Sequence, residues 1–227
     1  MLWDINIHKA YPSRDRHFAI DISFQSDSKR LVLFGPSGAG KTQVLKMLSG
    51  LVAPDKGHIQ FSNIDLFNSH KHIHLSPQQR QLAYVFQNYA LFPHLTVVQN
   101  MAFSLHKHWL NPPKNTQSEQ IEYWLNKLEL KPLAHQYPHQ LSGGQGQRVA
   151  LARALIMSPK AVLLDEPFSA LDEKLRNNLR QELLDLQTQL SLPMILISHH
   201  PDDVKTFGEE IICLSHGQIL KTLPDLA

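Results

Sequence analysis

The stretch "RLVLFGPSGAGKT", residues 30–42, places a glycine-rich loop between a short apolar run and a helical pattern. Four apolar residues precede Gly35, which is typical of a strand buried on both faces of a parallel sheet. Gly35, Gly40, Lys41 and Thr42 satisfy the spacing G-x-x-x-x-G-K-[ST] of a phosphate loop. Glycines let successive backbone N–H groups converge on phosphate oxygens, and Lys41 supplies a positive charge. An ordinary glycine turn is the alternative, but it does not require so many matching positions.

The remaining apolar runs predict an α/β fold around this loop. Nearly continuous apolar segments at 82–87, 161–166 and 194–199 predict three further parallel strands. Helical patterns alternate with them, at 41–48 and after Ser142. Period-two alternation in "LWDINI", "HFAIDISF" and "GHIQFSN" predicts a separate antiparallel layer, and "IICLSHGQILKTL" predicts a hairpin that turns at His216 and Gly217.

Residues 88–155 form a long insertion that we predict to be a mostly helical subdomain. Within it, T-x-x-E at Thr116 to Glu119 predicts the start of a helix. That helix would bury one apolar face, formed by Ile121, Trp124, Leu125 and Leu128.

Composition favours one folded domain without unusual partners. The chain has 227 residues, 42% of them hydrophobic, which fits a single domain with a subdomain. A formal net charge of +2, with scattered lysines and arginines, does not indicate a nucleic-acid partner. We find no secretory signal and no apolar run long enough to cross a bilayer. The single cysteine, Cys213, lies in an apolar setting and reads as a core residue.

Two carboxylates follow the apolar run "AVLL" at Asp165 and Glu166. Asp165 is placed to hold magnesium, and Glu166 is placed to polarise an attacking water molecule as a general base. An acidic pair at a strand end is otherwise often a solvated terminus. The presence of the phosphate loop favours the catalytic interpretation.

The segment "LSGGQGQR", residues 141–148, predicts a second anion site. Ser142 and Gln145 fit a capping box, so Ser142 begins a helix. Two glycines in the first turn also expose backbone donors at the positive end of that helix. One nucleotide cannot easily use both this segment and the phosphate loop of the same subunit.

These motifs together resemble the ATP-binding subunits of ABC transporters. The resemblance rests on "GPSGAGKT", "VFQNYALFPHLTV", "LSGGQGQR", "VLLDEP", "SALD" and "ISHH", which occur in the order of that family and cover essentially the whole chain. It implies a RecA-like parallel core with an antiparallel β subdomain and a helical subdomain. It also implies an ATP hydrolase that forms a head-to-tail homodimer when ATP is bound, in which the serine-glycine-glycine segment of each subunit completes the site of the other.

The resemblance implies a role for each matching residue. Cofactor contacts are expected from Tyr11, Gly35, Pro36, Ser37, Gly38, Ala39, Gly40, Lys41, Thr42, Gln87, Ser142, Gly143, Gly144, Gln145, Asp165 and Asp172. Tyr11 would stack on adenine, and Asp172 would cross the dimer interface. Thr42, Gln87 and Asp165 would hold Mg²⁺, and Lys41, Glu166 and His199 would act in catalysis. A histidine at a strand end is otherwise often solvated, so His199 gains this role from the motif order alone.

Two positions depart from the family pattern. His200 stands where aspartate is usual, and Gly146 stands where a longer polar residue is usual. We expect neither change to abolish hydrolysis, but glycine near a helix start costs up to about 1 kcal/mol relative to alanine. The loop around Gly146 is therefore expected to be more mobile than in the family.

The phrase "NYALFPHLTV" is typical of importers, so the resemblance implies a peripheral subunit on the cytoplasmic face of the inner (plasma) membrane. Its partners would be integral membrane permease subunits and, indirectly, a periplasmic or surface substrate-binding protein. Molybdate or tungstate is the expected cargo; the alternatives are sulfate or another solute, or a soluble ABC ATPase outside transport. No C-terminal regulatory β-barrel is expected. The histidines at 70, 72 and 74 are read as a solvated loop rather than a metal site.

Overall fold

A computed structural model describes residues 1–12, 18–106, 110–169 and 171–220. His17 at the start of the second predicted strand, Ala170 of "SALD" and residues 221–223 of the predicted hairpin lie outside these ranges. In the described ranges, no helix is both long and apolar enough to cross a membrane. The fold is α/β, as predicted, and consists of two sheets connected and covered by helices.

The first sheet is antiparallel and has the strand order β2-β1-β4-β5-β6. Its strands are β1 (Trp3–Tyr11), β2 (Phe18–Ser26), β4 (Lys56–Phe61), β5 (Ile64–Asn68) and β6 (Ile73–His74). The three strands predicted from alternation are confirmed, because β1 pairs with β2 on one side and with β4 on the other. Strands β5 and β6 were not predicted, and β6 occupies the end of the histidine tract that the sequence suggested was a loop.

The second sheet has six strands in the order β11-β10-β3-β9-β8-β7. Its strands are β3 (Arg30–Phe34), β7 (Leu82–Val85), β8 (Ala161–Asp165), β9 (Met194–Ser198), β10 (Glu210–Ser215) and β11 (Gln218–Ile219). All neighbours except β10 and β11 are parallel. The predicted hairpin at His216 and Gly217 is confirmed, but its first strand also extends the parallel sheet beside β3.

Seven helices lie in the described residues. They are α1 (Lys41–Ser49), α2 (Pro77–Arg80), α3 (Val97–Phe103), α4 (Glu119–Lys127), α5 (Gly143–Leu155), α6 (Glu173–Leu190) and α7 (Pro201–Phe207). Two 3₁₀ turns, Lys131–Leu133 and Pro138–Gln140, lie between α4 and α5. The helices predicted at 41–48 and after Ser142 are therefore present.

The predicted cap at Thr116 is wrong. Helix α4 begins at Glu119, and Ser118 is its N-cap residue. Thr116 instead donates its hydroxyl hydrogen to the carbonyl oxygen of Pro113, at 2.6 Å, within the preceding turn. Residues 116–119 match the T-x-x-E spacing of a capping box. The threonine hydroxyl bonds to the nearby proline carbonyl instead and does not cap the helix.

Two hydrophobic cores lie on the opposite faces of the parallel sheet. Leu31 and Leu33 of β3 belong to the core that contains α1 and the antiparallel sheet. Val32, which lies between them, belongs to the core that contains α3, α4, α5 and α6. The same alternation holds along β8 and β9, which explains why these strands read as continuous apolar runs.

Arg80 anchors the far end of α1. Its guanidinium is 2% exposed, and its Nη1 donates to the carbonyl oxygens of Met47 and Leu48, both at 2.7 Å. These carbonyls lie at the C-terminal end of α1, where the helix dipole is negative and the last carbonyls lack the usual i+4 partner; Met47 O also accepts from the N–H of Gly50 at 3.2 Å. Burial lowers the pKa of Arg80 to about 10, so the guanidinium remains charged at neutral pH. Arg80 thereby joins the end of α1 to the segment that begins β7.

We expect Arg80→Met to lower the free energy of unfolding by roughly 2–4 kcal/mol, because it removes two buried, charge-assisted hydrogen bonds to the carbonyl oxygens of Met47 and Leu48. Urea denaturation followed by circular dichroism measures this quantity. Gln78→Met is the matched control, since Gln78 is an exposed residue of the same helix and should change stability by less than about 0.5 kcal/mol. Equal stability of the Arg80 variant and the parent protein would contradict the anchoring role.

Candidate functional site

The phosphate loop connects β3, in the interior of the parallel sheet, to α1. Its backbone has positive φ at all three predicted glycines, Gly35, Gly38 and Gly40. Gly35 has φ +154°, and a Cβ atom there would lie 2.1 Å from the carbonyl oxygen of Leu214. Gly40, with φ +100°, is the N-cap residue of α1. The tight approach of β10 on one side and the helix start on the other determine the shape of the loop.

Lys41 lies inside this loop rather than in solvent. Its side chain is 4% exposed, and Nζ donates to the carbonyl oxygens of Gly35 at 2.6 Å and Pro36 at 2.9 Å. Burial lowers the pKa of Lys41, while the nearby carboxylates of Glu166 and Asp165 oppose that change. The Nζ atom is 4.0 Å from Glu166 Oε1. The loop is therefore closed around a cation that is held by two carbonyl oxygens of the loop itself.

Asp165 connects the phosphate loop to the adjoining strands. Thr42 Oγ1 donates to Asp165 Oδ1 at 2.9 Å, and the hydroxyl of Tyr84 donates to Asp165 Oδ2 at 2.8 Å. Asp165 is 4% exposed. Burial, and then the charge of Asp165, raise the pKa of Tyr84, so Tyr84 remains a donor. Sequence reasoning missed Tyr84; its polar tip near the end of an apolar strand was the available signal.

The residues proposed to hold magnesium are only partly assembled. The Thr42 hydroxyl and the Asp165 carboxylate lie together and present hard oxygen ligands, which suit Mg²⁺. Gln87 lies two residues beyond the end of β7, so the prediction that it closes that strand is wrong. Its Nε2 donates to Glu166 Oε2 at 3.2 Å and to Ser169 Oγ at 3.4 Å. Gln87 thus contacts the predicted general base rather than the two oxygen ligands.

Glu166 and His199 lie side by side at the ends of β8 and β9. His199 Nδ1 is 3.4 Å from Glu166 Oε1, and the His199 side chain is 53% exposed. Glu166 has φ +45°, a left-handed conformation that is uncommon for a residue with a side chain. The structure therefore places two of the predicted catalytic groups, Lys41 and His199, within 4.0 Å of the carboxylate of the third, Glu166.

Ser142 and Gln145 do not join this cluster. In the described residues they form a capping box at the start of α5, in which Ser142 N donates to Gln145 Oε1 at 2.9 Å and Gln145 N donates to Ser142 Oγ at 3.4 Å. Ser142 and Gly143 are exposed. The predicted second anion site is thus an open helix N-terminus on the surface of the chain.

Tyr11 lies beside the start of α1, whereas Asp172 caps the start of α6. The Tyr11 hydroxyl donates to Gln43 Oε1 at 3.0 Å, which brings its ring beside the start of α1. Asp172 is exposed and caps α6, because its Oδ1 accepts a hydrogen bond from Leu175 N at 3.0 Å. Both roles inferred from the family resemblance remain predictions.

Gly146 lies within α5 and next to the ring of Tyr89. A Cβ atom at this position would lie 3.4 Å from Tyr89 Cδ2, which is close to ordinary contact.

The structure was also searched for metal-binding clusters. Among the described residues, no group of three or more histidine, cysteine, aspartate or glutamate side chains is arranged to hold a metal ion.

Comparisons with known proteins agree with this arrangement. A family model described as ABC transporter matches residues 20–169. The sulfate/thiosulfate import ATP-binding protein CysA of Synechocystis sp. is 43% identical over 195 residues, which cover 85% of this chain and 52% of the relative. The spermidine/putrescine import ATP-binding protein PotA of Marinobacter nauticus is 39% identical over 94% of this chain and 55% of the relative. The chain thus spans about half the length of these curated relatives.

A solved structure shows the same fold. The ATP-binding cassette MJ0796, described as a dimeric post-hydrolysis state bound to ADP and Pi, superposes with a TM-score of 0.78 at 28% identity. The match covers 100% of this chain and 99% of that structure. With the phosphate loop, the carboxylate pair and the ordered motifs, these matches show that the chain belongs to the ABC transporter family and has the P-loop fold of its ATP-binding cassettes.

Proposed function

We propose that this chain is the ATP-hydrolysing subunit of an ABC importer. The observation that carries the proposal is the convergence of Lys41, Thr42, Asp165, Glu166 and His199 at the carboxyl ends of three adjacent strands. The import proteins among the relatives support the same assignment. Such a subunit acts at the cytoplasmic face of the plasma membrane as a peripheral protein.

Lys41 and the loop backbone bind the phosphates. The Lys41 ammonium now bonds to the carbonyl oxygens of Gly35 and Pro36, and the phosphate oxygens of ATP would replace these neutral acceptors with charged ones. Thr42 and Asp165 would hold Mg²⁺, which supplies charge neutralisation at the phosphates. Tyr84 keeps the Asp165 carboxylate oriented toward Thr42 by occupying its other oxygen.

Glu166 acts as the general base in this mechanism. A water molecule attacks the γ-phosphorus while a Glu166 carboxylate oxygen accepts its proton, and the bond to the bridging oxygen breaks to give ADP and phosphate. His199 lies 3.4 Å from Glu166 and orients it toward the attacking water. Gln87, which donates to Glu166, connects this base to the segment that follows β7.

We expect Glu166→Gln to lower the rate of ATP hydrolysis by at least about 100-fold, because general-base catalysis contributes roughly 10²–10⁴. The variant still binds ATP, so it should accumulate as an ATP-dependent dimer. Size-exclusion chromatography with light scattering, with ATP and magnesium present, measures the dimer. The control is Glu173→Gln, at an exposed position of α6; its hydrolysis rate and its dimer content should equal those of the parent protein. A variant that remains monomeric with ATP would count against the proposed sandwich.

Each active site is proposed to contain residues of two subunits. Ser142 and Gly143 are exposed at the positive end of α5, which is a favourable position for a phosphate carried by another subunit. Head-to-tail pairing brings the two halves together. ATP then stabilises the closed dimer, and hydrolysis releases it.

Mixing two inactive variants tests this pairing. We expect Lys41→Ala and Ser142→Arg each to hydrolyse ATP at under about 5% of the parent rate. A heterodimer of the two contains one intact site, formed by Lys41 of one subunit and Ser142 of the other. An equimolar mixture should therefore recover activity that neither variant has alone. Ser142→Arg should still bind ATP as a monomer, measured by calorimetry; no recovery in the mixture would contradict a shared site.

An apolar groove of about 780 Å³ is the proposed contact for a membrane permease subunit. Leu82, Phe92, Phe103 and Met157 line it. Arg153, also in the lining, donates to the carbonyl oxygens of Tyr89 and Ala90, both at 2.8 Å. Tyr89 and Ala90 lie two and three residues after Gln87, which donates to Glu166. A segment of the permease seated in the groove would therefore be connected through this stretch to Glu166. A substrate-binding protein is the indirect partner of the same assembly.

Sulfate or thiosulfate is the proposed cargo. The expectation of molybdate or tungstate has no support among the relatives compared, which are named as importers of sulfate/thiosulfate and of spermidine/putrescine. The sequence identity of 43% to the sulfate protein favours an oxyanion of sulfur. A polyamine is the second candidate, on the strength of the PotA relative.

Cells that carry Lys41→Ala at the native locus should grow poorly with sulfate as the sole sulfur source, because ATP hydrolysis drives the uptake. Cysteine should restore growth, and uptake of radiolabelled sulfate should fall to under about a tenth of the parent value. Normal sulfate uptake with reduced spermidine uptake would move the assignment to polyamines. Normal uptake of both solutes would contradict the cargo proposal.

A further inference from the structure

The first turn of α5 lies directly on α6. Ser142 is the N-cap residue of α5, and Gly144 follows it in the first turn. A Cβ atom at Gly144 would lie 3.0 Å from Leu175 Cδ1 and 3.2 Å from Leu179 Cδ1, both of α6. Glycine therefore lets the two helices approach closely at this point. The position of Ser142 depends on how α5 lies against α6.

One turn further along α5, Arg148 bonds to α6 through two nitrogens of its guanidinium. Its Nε donates to Glu182 Oε2 at 3.0 Å, and its Nη2 donates to Glu182 Oε1. The third nitrogen, Nη1, donates to Glu129 Oε2 at 3.0 Å. The planar guanidinium matches the carboxylate in a two-bond pair, so the pair fixes the direction of the contact as well as its length.

The pair spans a cleft between α5, α6 and the end of α4. The cleft has a volume of about 250 Å³, and two of the residues that line it, Leu128 and Leu186, are apolar. The other lining residues are Lys127, Glu129, Arg148, Glu182, Asp185 and Gln189. Lys127 Nζ donates to Gln189 Oε1 across the same cleft. Polar bonds rather than apolar packing thus connect the helices at this level.

Helices α5 and α6 run in the same direction. Gly144 lies against Leu175, and Arg148 pairs with Glu182 two turns later along α6. Beyond them, Leu151 of α5 belongs to the same apolar cluster as Leu186 of α6. The N-cap residues of the two helices, Ser142 and Asp172, therefore lie on the same side of the molecule.

We propose that Arg148 and Glu182 are positioning residues: their two-bond pair determines the angle of the first turn of α5 on α6, and so places Ser142 and Gly143 where a nucleotide bound to a second subunit can reach them. The proposal rests on the proposed two-subunit active site. ATP binding to a single subunit does not depend on the pair, whereas ATP-dependent pairing of subunits does. Glu129, which accepts one bond and whose side chain is 80% exposed, contributes little.

The first experiment measures the ATP concentration that gives half of the dimer, by light scattering with magnesium, in proteins that carry Glu166→Gln. We expect Arg148→Met and Glu182→Gln each to require about three- to tenfold more ATP, since each closed dimer contains the pair twice. Glu129→Gln is the matched control, because it removes the other partner of Arg148, and it should require the same ATP as Glu166→Gln alone.

Two further variants separate positioning from a general loss of structure. Exchanging the charges, with Arg148→Glu and Glu182→Arg together, should require less ATP than either reversal alone. The ATP affinity of single subunits, measured by calorimetry in the Ser142→Arg background, should not change with Arg148→Met. An unchanged ATP requirement for both Arg148→Met and Glu182→Gln would overturn the proposal.

Hydrogen exchange without nucleotide tests the positioning independently of ATP. Glu182→Gln leaves the sequence of α5 unchanged, so a change in α5 must pass through the contact with Arg148. We expect the backbone amides of residues 146–150 to exchange about three- to fivefold faster in Glu182→Gln than in the parent protein. The amides of α1 are the internal reference and should exchange equally, as should all amides in Glu129→Gln.

The two experiments distinguish the positioning from the proposed function. Faster exchange in α5, with no ATP-dependent dimer of Glu166→Gln, would refute the two-subunit site while supporting the role of the pair in holding α5. Equal exchange in Glu182→Gln and the parent protein would overturn that role, even if the dimer forms.

Discussion

Burial of β3, β8 and β9 on both faces is the constraint on which the candidate site depends. Each chemical group lies at the carboxyl end of one of these parallel strands: the phosphate loop follows β3, Asp165 ends β8 and Glu166 follows it, and His199 follows β9. Parallel pairing brings those three ends to one edge of the sheet. A slip of one residue in any strand would exchange its two apolar faces, so core packing also fixes the register of the catalytic groups.

The charges at the site are compensated within the chain. Lys41 bonds to two loop carbonyls and lies 4.0 Å from Glu166, while Asp165 accepts from Thr42 and Tyr84. Buried charges persist only when they are paired or hydrogen-bonded. In the proposed ATP-bound state, Lys41 would therefore exchange its carbonyl partners for phosphate oxygens rather than move in from solvent. The guanidinium of Arg80 bonds to two carbonyl oxygens at the opposite end of α1.

Local pattern predicted the elements well where one physical cause dominates. Glycine spacing and the following apolar face predicted α1, and the turn residues His216 and Gly217 predicted the hairpin between β10 and β11. In the structure both turn residues have positive φ. Prediction failed where a local contact competed: the Thr116 hydroxyl bonds to Pro113 instead of capping α4. The strand leading to Gln87 was predicted too long, because its apolar run continues beyond the last residue that pairs with β8.

The sequence by itself determined the phosphate loop, the carboxylate pair and the ordered motifs, because each consists of residues that act at short, fixed spacing. Only the tertiary structure decided which side chains support them. Tyr84 reaches Asp165 across 81 residues, and Arg176 reaches His200 across 24. Such pairs depend on strand register and helix placement, which are set by the burial of both sheet faces. The spacing of residues along the sequence therefore does not predict these pairs.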